Sequence, residues 1–581
     1  METPKRMCWF LLFVVIAFAS ACSSAGGGDD DAASPDDDAS SDDDSQPGDD
    51  DSAVDDDVQP DDDVQPDDDV DQSGWCFPDR DGDGYGDPHS GRDFGGECPP
   101  GWVKDSTDCN DYDLLTHPGA IELPDDGVDQ NCDGADLQRS DAIGVFVAPS
   151  GDDANPGTMA SPKRTIGAAV QAATDAGKSV FVAEGTYNEG VDSTGSVFGG
   201  YRLPDWKRDI PNHPTVILSA TIGAAGDESD DWAVLEGFRT NSADAGVTIV
   251  GPALVLHNVI SAPLEFPYYV AVTIITEHAA ILAENEIVSA NSWFGMTGVE
   301  IYGGKATVYR NHITAINPGT PSWVVAISVS GGDTLIRENT MNCDYHADLS
   351  HGVYLTGWAV ATLVDNQICA GRSLEESVGV KVYGATATLI NNVIDAGQSE
   401  QWTTGVDLSE QNTVVLIGND IYGGRGPETC GVSVYGGGPT GNLVTMLNNV
   451  VDGGAGTAFS YAGEFTVLGD HVTMLNNDLV AGDVGCLVKT TASCMNTPSE
   501  IDACDWYDCD QAGGDISADP RYVDQAGGDY HLSEDSACID AGVAPWNWSD
   551  DVFAAFDFEG DIRPAGANWD IGADEYAAGR R

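Results

Sequence analysis

An asparagine that returns at a nearly constant interval limits how this chain can fold more than any other feature of it. Short apolar strands end in Asn258, Asn285, Asn311, Asn339, Asn366, Asn392, Asn419, Asn449 and Asn477, at successive spacings of 27, 26, 28, 27, 26, 27, 30 and 28 residues. A second strand keeps step, as Gly298-Val-Glu-Ile301, Gly352-Val-Tyr-Leu355, Gly379-Val-Lys-Val382, Gly405-Val-Asp-Leu408 and Gly431-Val-Ser-Val434. Two or three short strands per repeat fit one coil of a parallel β-solenoid, whose coils stack about 4.8 Å apart. At that spacing each asparagine amide meets the next, forming an internal ladder. Val, Leu and Ile then point inward, and each coil buries its apolar face only against its neighbours. A leucine-rich repeat is the main competitor, but these strands favour Val and Ile and lack a helical segment.

The ends of a solenoid need covers. Ile166, Ala169, Val170 and Ala173 share one face of a predicted helix over 165–176, which would plug the N-terminal end. The runs from Val145 to Gly157, Val180 to Glu189 and Phe198 to Tyr201 resemble the opening module of bacterial right-handed β-helix proteins. Asp519-Pro520, Cys538-Ile-Asp540, Asp561-Ile-Arg563-Pro564 and Asp570-Ile-Gly572-Ala-Asp574-Glu575-Tyr576 resemble the closing module of the same group. The expectation is an all-β, right-handed parallel β-helix over 143–500 with an N-terminal capping helix, closed by 501–576. Such a resemblance implies a scaffold and no reaction.

Between 73 and 137 Asp, Gly, Cys and Pro replace the strand pattern. Asp79, Asp81, Asp83 and Asp87 alternate with glycines, so their carboxylates can converge on one hard cation, with the Tyr85 carbonyl as a further ligand. The loop has no Glu at its twelfth position and no flanking helices, which excludes an EF-hand. Asp108, Asn110 and Asp113 follow, and Asp129, Asn131, Asp133 and Asp136 repeat the pattern. This order resembles the MopE-type metal-binding motif of bacterial surface proteins and is similar to thrombospondin type-3 calcium repeats. The resemblance implies Ca²⁺ at these residues. A departure is Leu123-Pro-Asp125-Asp-Gly127, where the family carries Cys-Asp-Gly. Four cysteines allow three pairings, of which Cys76 with Cys98 and Cys109 with Cys132 is preferred. With so little apolar content, this small domain needs metal and cross-links to fold.

Lys5 and Arg6 precede an apolar run, Trp9 to Phe18, too short to span a bilayer. It ends in Ala19-Ser20-Ala21-Cys22, which resembles a bacterial lipobox. That implies a signal peptide over 1–21, acylation of Cys22 and, with Ser23 next, an outer-membrane lipoprotein facing the exterior. Residues 29–72 hold 22 Asp and no Lys or Arg, so 22–72 reads as a disordered, self-repelling tether reaching roughly 40 Å. With 24 basic residues against 97 acidic ones, nucleic acid is excluded as a partner. Of 14 Cys, Cys8 lies in the signal and Cys22 at the anchor; the remaining even number in an exported chain points to disulfides, and Cys504 with Cys509 reads as one.

Right-handed β-helices include polysaccharide lyases and glycoside hydrolases. The best local cluster for such chemistry is Asp344, His346 and His351, with Arg337 in an adjacent coil. A polar loop at a coil corner is the favoured reading of it, and the signatures of those enzymes are absent from the sequence. Gly436 to Gly441 matches GxGxxG but joins two strand patterns and contains Pro439, which makes it a turn. Tyr302, Tyr354, Tyr383 and Tyr435 recur along successive coils and could stack on sugar rings. The expectation is glycan binding or adhesion, with a lyase or hydrolase as first alternative and a structural spike as second.

Overall fold

The computed structural model describes residues 73–224, 232–241, 246–261, 268–290, 295–316, 322–343, 346–436, 441–466, 469–482, 484–506, 509–545 and 551–577. The signal segment, Cys22, the Asp-rich run and Asp344 lie outside them.

Each repeat contributes one strand to each of three sheets. Sheet 1 has 15 strands and runs from Gly144–Val147 through Ala253–Leu256 and Asp333–Arg337 to Cys509–Gly513. Sheet 2 has 12, from Gly185–Thr186 through Thr340–Cys343 to Asp478–Val480. Sheet 3 has 14, including Val191–Ser193, His346–Thr356 and Gly485–Thr490. Strands of successive coils pair in parallel, with local register shifts as at Ala347/Leu349 and Gly426/Glu428; Val299, Ile327, Val353, Val380, Val406 and Val432 form one unbroken inward column, all fully buried. The chain is a parallel β-helix.

The nine asparagines stand at the corner between sheets 1 and 2. Asn339 is typical: its Nδ2 donates to the Val308 and Arg337 carbonyls and to Asn366 Oδ1, at 2.7, 2.9 and 3.0 Å. Its own Oδ1 accepts from the Asn311 backbone and amide. The ladder ends on Asp515, whose carboxylate accepts from Asn477. A second, three-rung ladder, Asn412–Asn442–Asp470, lines the corner between sheets 3 and 1.

The residue before each ladder asparagine takes a left-handed conformation, with φ between 51° and 60° at His257, Glu284, Arg310, Glu338, Asp365, Asn391, Gly418, Asn448 and Asn476. One such residue turns the chain sharply while its side chain stays outside. These outward side chains form a polar seam along the flank, and residues 73–139 and the segment beyond Asp515 settle near it. Residues 73–139 pack on the outer face of sheet 1, where Leu123 joins Phe146, Phe181, Tyr201 and Tyr309 in a second apolar core. Sheet 1 is therefore buried on both faces in its early coils, and its strands are apolar throughout.

Caps close the solenoid. The helix Ile166–Ala176 starts at the Thr165 N-cap, ends at Gly177 (φ 62°), and buries Ile166, Ala169 and Ala173; Val170 is half-buried. At the other end Ile501 and Trp506 cover the core, Trp506 stacking on Phe465 at 5.6 Å. Beyond Asp515 the chain turns back along the flank: Asn476, Asn448 and Asn391 donate in turn to the carbonyls of Ala541, Val543 and Phe556.

His257 on this seam makes the fold pH-sensitive. Its ring nitrogens each lie 2.8 Å from a carboxylate, Glu236 on one side and Glu284 on the other. Burial opposes its charge, but the two carboxylates outweigh burial and raise its pKa to about 10. A pKa raised in the folded state contributes stability that is complete below the unfolded value of about 6.5 and lost as pH rises through about 10. The thermal midpoint of His257→Gln should therefore fall less than that of the parent across this window. Parallel curves for the two proteins would refute the assignment.

Candidate metal centre and ligand-binding face

Gly82 and Gly84, with φ of 76° and 92°, fold the first acidic loop back on itself. Carboxylate oxygens of Asp79, Asp81 and Asp83 come within 4.8 Å of one another, and those of Asp81, Asp108 and Asp111 do the same. Asp81 is thus common to two groups that join five carboxylates. Asp79, Asp81, Asp108 and Asp111 are buried and Asp83 half-buried. Burial first, and then mutual repulsion, pushes Asp81 up to about 9 and Asp83 up to about 7. Burial also raises Asp79 to about 6 and Asp111 to about 7, and raises Asp108. Asp83 Oδ2 and Asp108 Oδ2 are buried without a hydrogen-bond partner. An oxygen-only set with orphaned, mutually repelling carboxylates fits a hard divalent cation, which would supply the missing positive charge.

The other ligands expected from the sequence here are not in these two groups of carboxylates, among the described residues. Asp87 caps His89 and Ser90 and lies 3.8 Å from Arg80. Tyr85 stacks on His117 at 5.1 Å. Asn110 is exposed. Asp113 donates its N–H to Asp81 Oδ2, while its carboxylate takes Thr116 and faces Arg310 at 3.5 Å. Asp111 was not among the ligands expected from the sequence; it stands one residue off the alternating pattern.

A second loop follows. Asp129 accepts from the backbones of Asp133 and Gly134, Asn131 from Asp133, and Asp133 from Ala135. Asp136 Oδ1 is buried without a partner. Glu122, also not foreseen, reaches into this loop and accepts from Asn131 and Leu137; burial and then Asp129 and Asp133 raise its pKa. Disulfides Cys76–Cys98 and Cys109–Cys132 brace the two loops. Cys486–Cys494 and Cys504–Cys509 are also bonded, whereas Cys430 and Cys538 are buried thiols.

The outward face of sheet 3 holds the other concentration of chemistry. Register places Leu349, Glu376, Trp402, Glu428 and Phe459 in one column and Tyr354, Lys381, Asp407, Ser433 and Glu464 in another. Lys381 Nζ bonds Glu376 and lies 3.2 Å from Asp407, and His351 Nε2 is 3.8 Å from Glu376. Exposed aromatics surround this cluster: Trp402 at 49%, Phe459 at 47%, Tyr383 at 42% and Tyr435 at 39%. The expected tyrosine stripe is discontinuous. Tyr383 and Tyr435 share a column with Ser409 between them, and Tyr354 belongs to the column two residues earlier. Tyr302, 51% exposed, follows Ile301 at the end of an earlier strand of the sheet.

Burial and neighbouring charges oppose one another throughout the cluster. Burial opposes the Lys381 charge, but Asp407 and Glu376 keep it protonated far above the ordinary lysine range. Glu376 is buried too, yet His351 and Lys381 bring it down to about 2. Burial raises Asp407 to about 6 and lowers the pKa of His351. A lysine fixed as a cation is a poor general base, and Asp407 is only 3% exposed.

The residues named from sequence for catalysis are divided. Arg337 lies on the outside of sheet 1, its guanidinium donating to the carbonyls of Arg80 and Asp81. His351 lies on sheet 3. His346 opens the same strand, paired with Arg372. Asp344 is outside the described residues. The structure does not bring Arg337 and His351 together.

Residues 108–136 match a family described as "Putative metal-binding motif", and residues 297–497 one described as "Right handed beta helix region". Residues 149–199 match "Protein of unknown function (DUF1565)". No curated protein matches the chain. Among solved structures it is similar to one called "Crystal structure of pectate lyase Pel9A", with 15% identity and a TM-score of 0.39, over 74% of this chain and 96% of that chain. The solenoid is a right-handed parallel β-helix, preceded by a MopE-type metal-binding motif.

Proposed function

We propose that this protein holds a polysaccharide along the outward face of sheet 3, as a calcium-stabilised lipoprotein anchored through Cys22 and displayed outside the outer membrane. The observation that carries the glycan reading is the set of exposed aromatics, Trp402, Phe459, Tyr383 and Tyr435, in register around the Glu376–Lys381–Asp407 cluster. Coils repeat about every 4.8 Å, so rings on different coils form a regular platform for an extended polymer. Sugar rings stack on aromatic faces while paired charges offer donors and acceptors to hydroxyl groups. Oxygen-only loops in an exported chain favour Ca²⁺ over softer metals.

Cleavage is the second reading. Two neighbouring carboxylates, Glu376 at about 2 and Asp407 at about 6, differ in the way an acid and its partner differ in glycosidases. Incubation with a panel of neutral, amino-sugar and uronic-acid polymers separates the readings. Retention without new ends supports binding, unsaturated ends absorbing in the ultraviolet identify a lyase, and new reducing ends alone a hydrolase. With a retained polymer, Trp402→Ala combined with Tyr383→Ala should weaken affinity about tenfold, at roughly 0.5–1.5 kcal/mol per ring. Unchanged retention in that double variant would move the site off this face.

A further inference from the structure

We propose that the cation held by Asp79, Asp81, Asp83, Asp108 and Asp111 fastens the acidic loops and the C-terminal segment 551–556 onto the middle of the solenoid. The inference rests on the metal reading above and adds what the metal does. The loop that turns its carboxylates inward turns its backbone carbonyls outward, and the solenoid reads those carbonyls. Arg337, on a middle coil, donates to the Asp81 carbonyl and, at 2.9 Å, to that of Arg80. One coil earlier Arg310 donates to the Tyr112 carbonyl at 2.5 Å and faces Asp113 at 3.5 Å. Both arginines are tied down from the solenoid side by Glu338.

The C-terminal segment closes over the same joint. The Arg337 guanidinium sits 4.7 Å from the centre of the Phe553 ring. Phe553 also fills the space over Gly82, inside the metal loop: a Cβ there would fall 2.5 Å from the ring. A Cβ on Gly101 would meet Ala555 at 2.6 Å. One arginine of the solenoid thus contacts the metal loop with its edge and the C-terminal segment with its face.

Five crowded carboxylates without a cation repel one another, and opening the loop displaces the carbonyls that Arg337 grips. Phe553 then loses its seat on Gly82 and on the arginine together. Occupation of the centre by a divalent cation is therefore coupled to order in residues 551–556, at least 440 positions away in sequence.

Hydrogen exchange read by mass spectrometry on the intact chain, in Ca²⁺ and in EDTA, tests this. In EDTA, peptides covering 79–87 and 551–561 should both exchange at least about tenfold faster, with 393–395 and 420–422 unchanged. Asp81→Asn in Ca²⁺ should reproduce the EDTA pattern. Phe553→Ala should release 551–561 while Ca²⁺ still protects 79–87. If Ca²⁺ protects 79–87 but 551–561 exchanges alike in both conditions, the fastening is wrong and the metal reading stands. If neither segment responds, both are wrong.

Discussion

Asn339→Ala is expected to lower the unfolding free energy by about 4 kcal/mol, within the range for breaking a buried polar network. The asparagine is 1% exposed and spends both ends of its amide on neighbouring coils. Alanine would leave the Val308 and Arg337 carbonyls short of a donor and the Asn311 N–H and Nδ2 short of their acceptor. Each stranded group costs about 1–3 kcal/mol, and no water can reach the corner without opening it. Aspartate is the informative control, because Asp515 ends the ladder naturally by accepting without donating onward. Asn339→Asp should keep the acceptor and lose the donor, and fall between alanine and the parent in chemical denaturation. A parent-like midpoint for the alanine variant would show that the ladder is ornamental.

Arg208→Met is the second large effect, about 3–5 kcal/mol. The Arg208 guanidinium lies 2.7 Å from Glu236, with the two side chains 3% and 0% exposed. Its charge is what holds Glu236 ionised: burial raises that carboxyl, and Arg208 followed by His257 reverses the shift and lowers it. Methionine fills similar volume and strands the carboxylate. Nη1 also donates to the Pro124 carbonyl at 2.9 Å, so the substitution loosens the metal-binding segment from the early coils as well. Without Arg208, burial raises the Glu236 carboxyl, so the loss should be smaller at pH 5, where it can take up a proton, than at pH 9. A variant equally destabilised at both would mean that no carboxylate is stranded there.

The ladder asparagines were legible in the sequence because the turn needs one side chain with a donor and an acceptor at a fixed step, and asparagine meets that need nine times. The second ladder was legible in principle: Asn412, Asn442 and Asp470 repeat the 30 and 28 spacing of Asn419, Asn449 and Asn477. Three rungs ending in a different residue type do not stand out from background. The left-handed position before each rung left no trace, since His, Glu, Arg, Asp, Asn and Gly all occupy it and share only the lack of an apolar side chain. The first acidic loop was visible as alternation, whereas Asp111 and Glu122 arrive from neighbouring turns whose approach is set by disulfides and packing. Arg337 illustrates the limit. Its charge invited a catalytic reading, and its partners lie 256 and 257 residues away, beyond any local pattern. The cluster on sheet 3 was not legible as one for a related reason: Glu376 and Lys381 share a strand, and Asp407 joins them from the next coil.

The docking of residues 73–139 on Arg310 and Arg337 determines where a pull on the N-terminal segment enters the body. A terminal coil of a solenoid has one neighbour and can peel away, one row of hydrogen bonds at a time. A middle coil is held from above and below. Traction at Ser73 would pass through the disulfide-braced loops and be shared between the Arg310 and Arg337 contacts of such middle coils and the Leu123 and Arg208 contacts of the early ones.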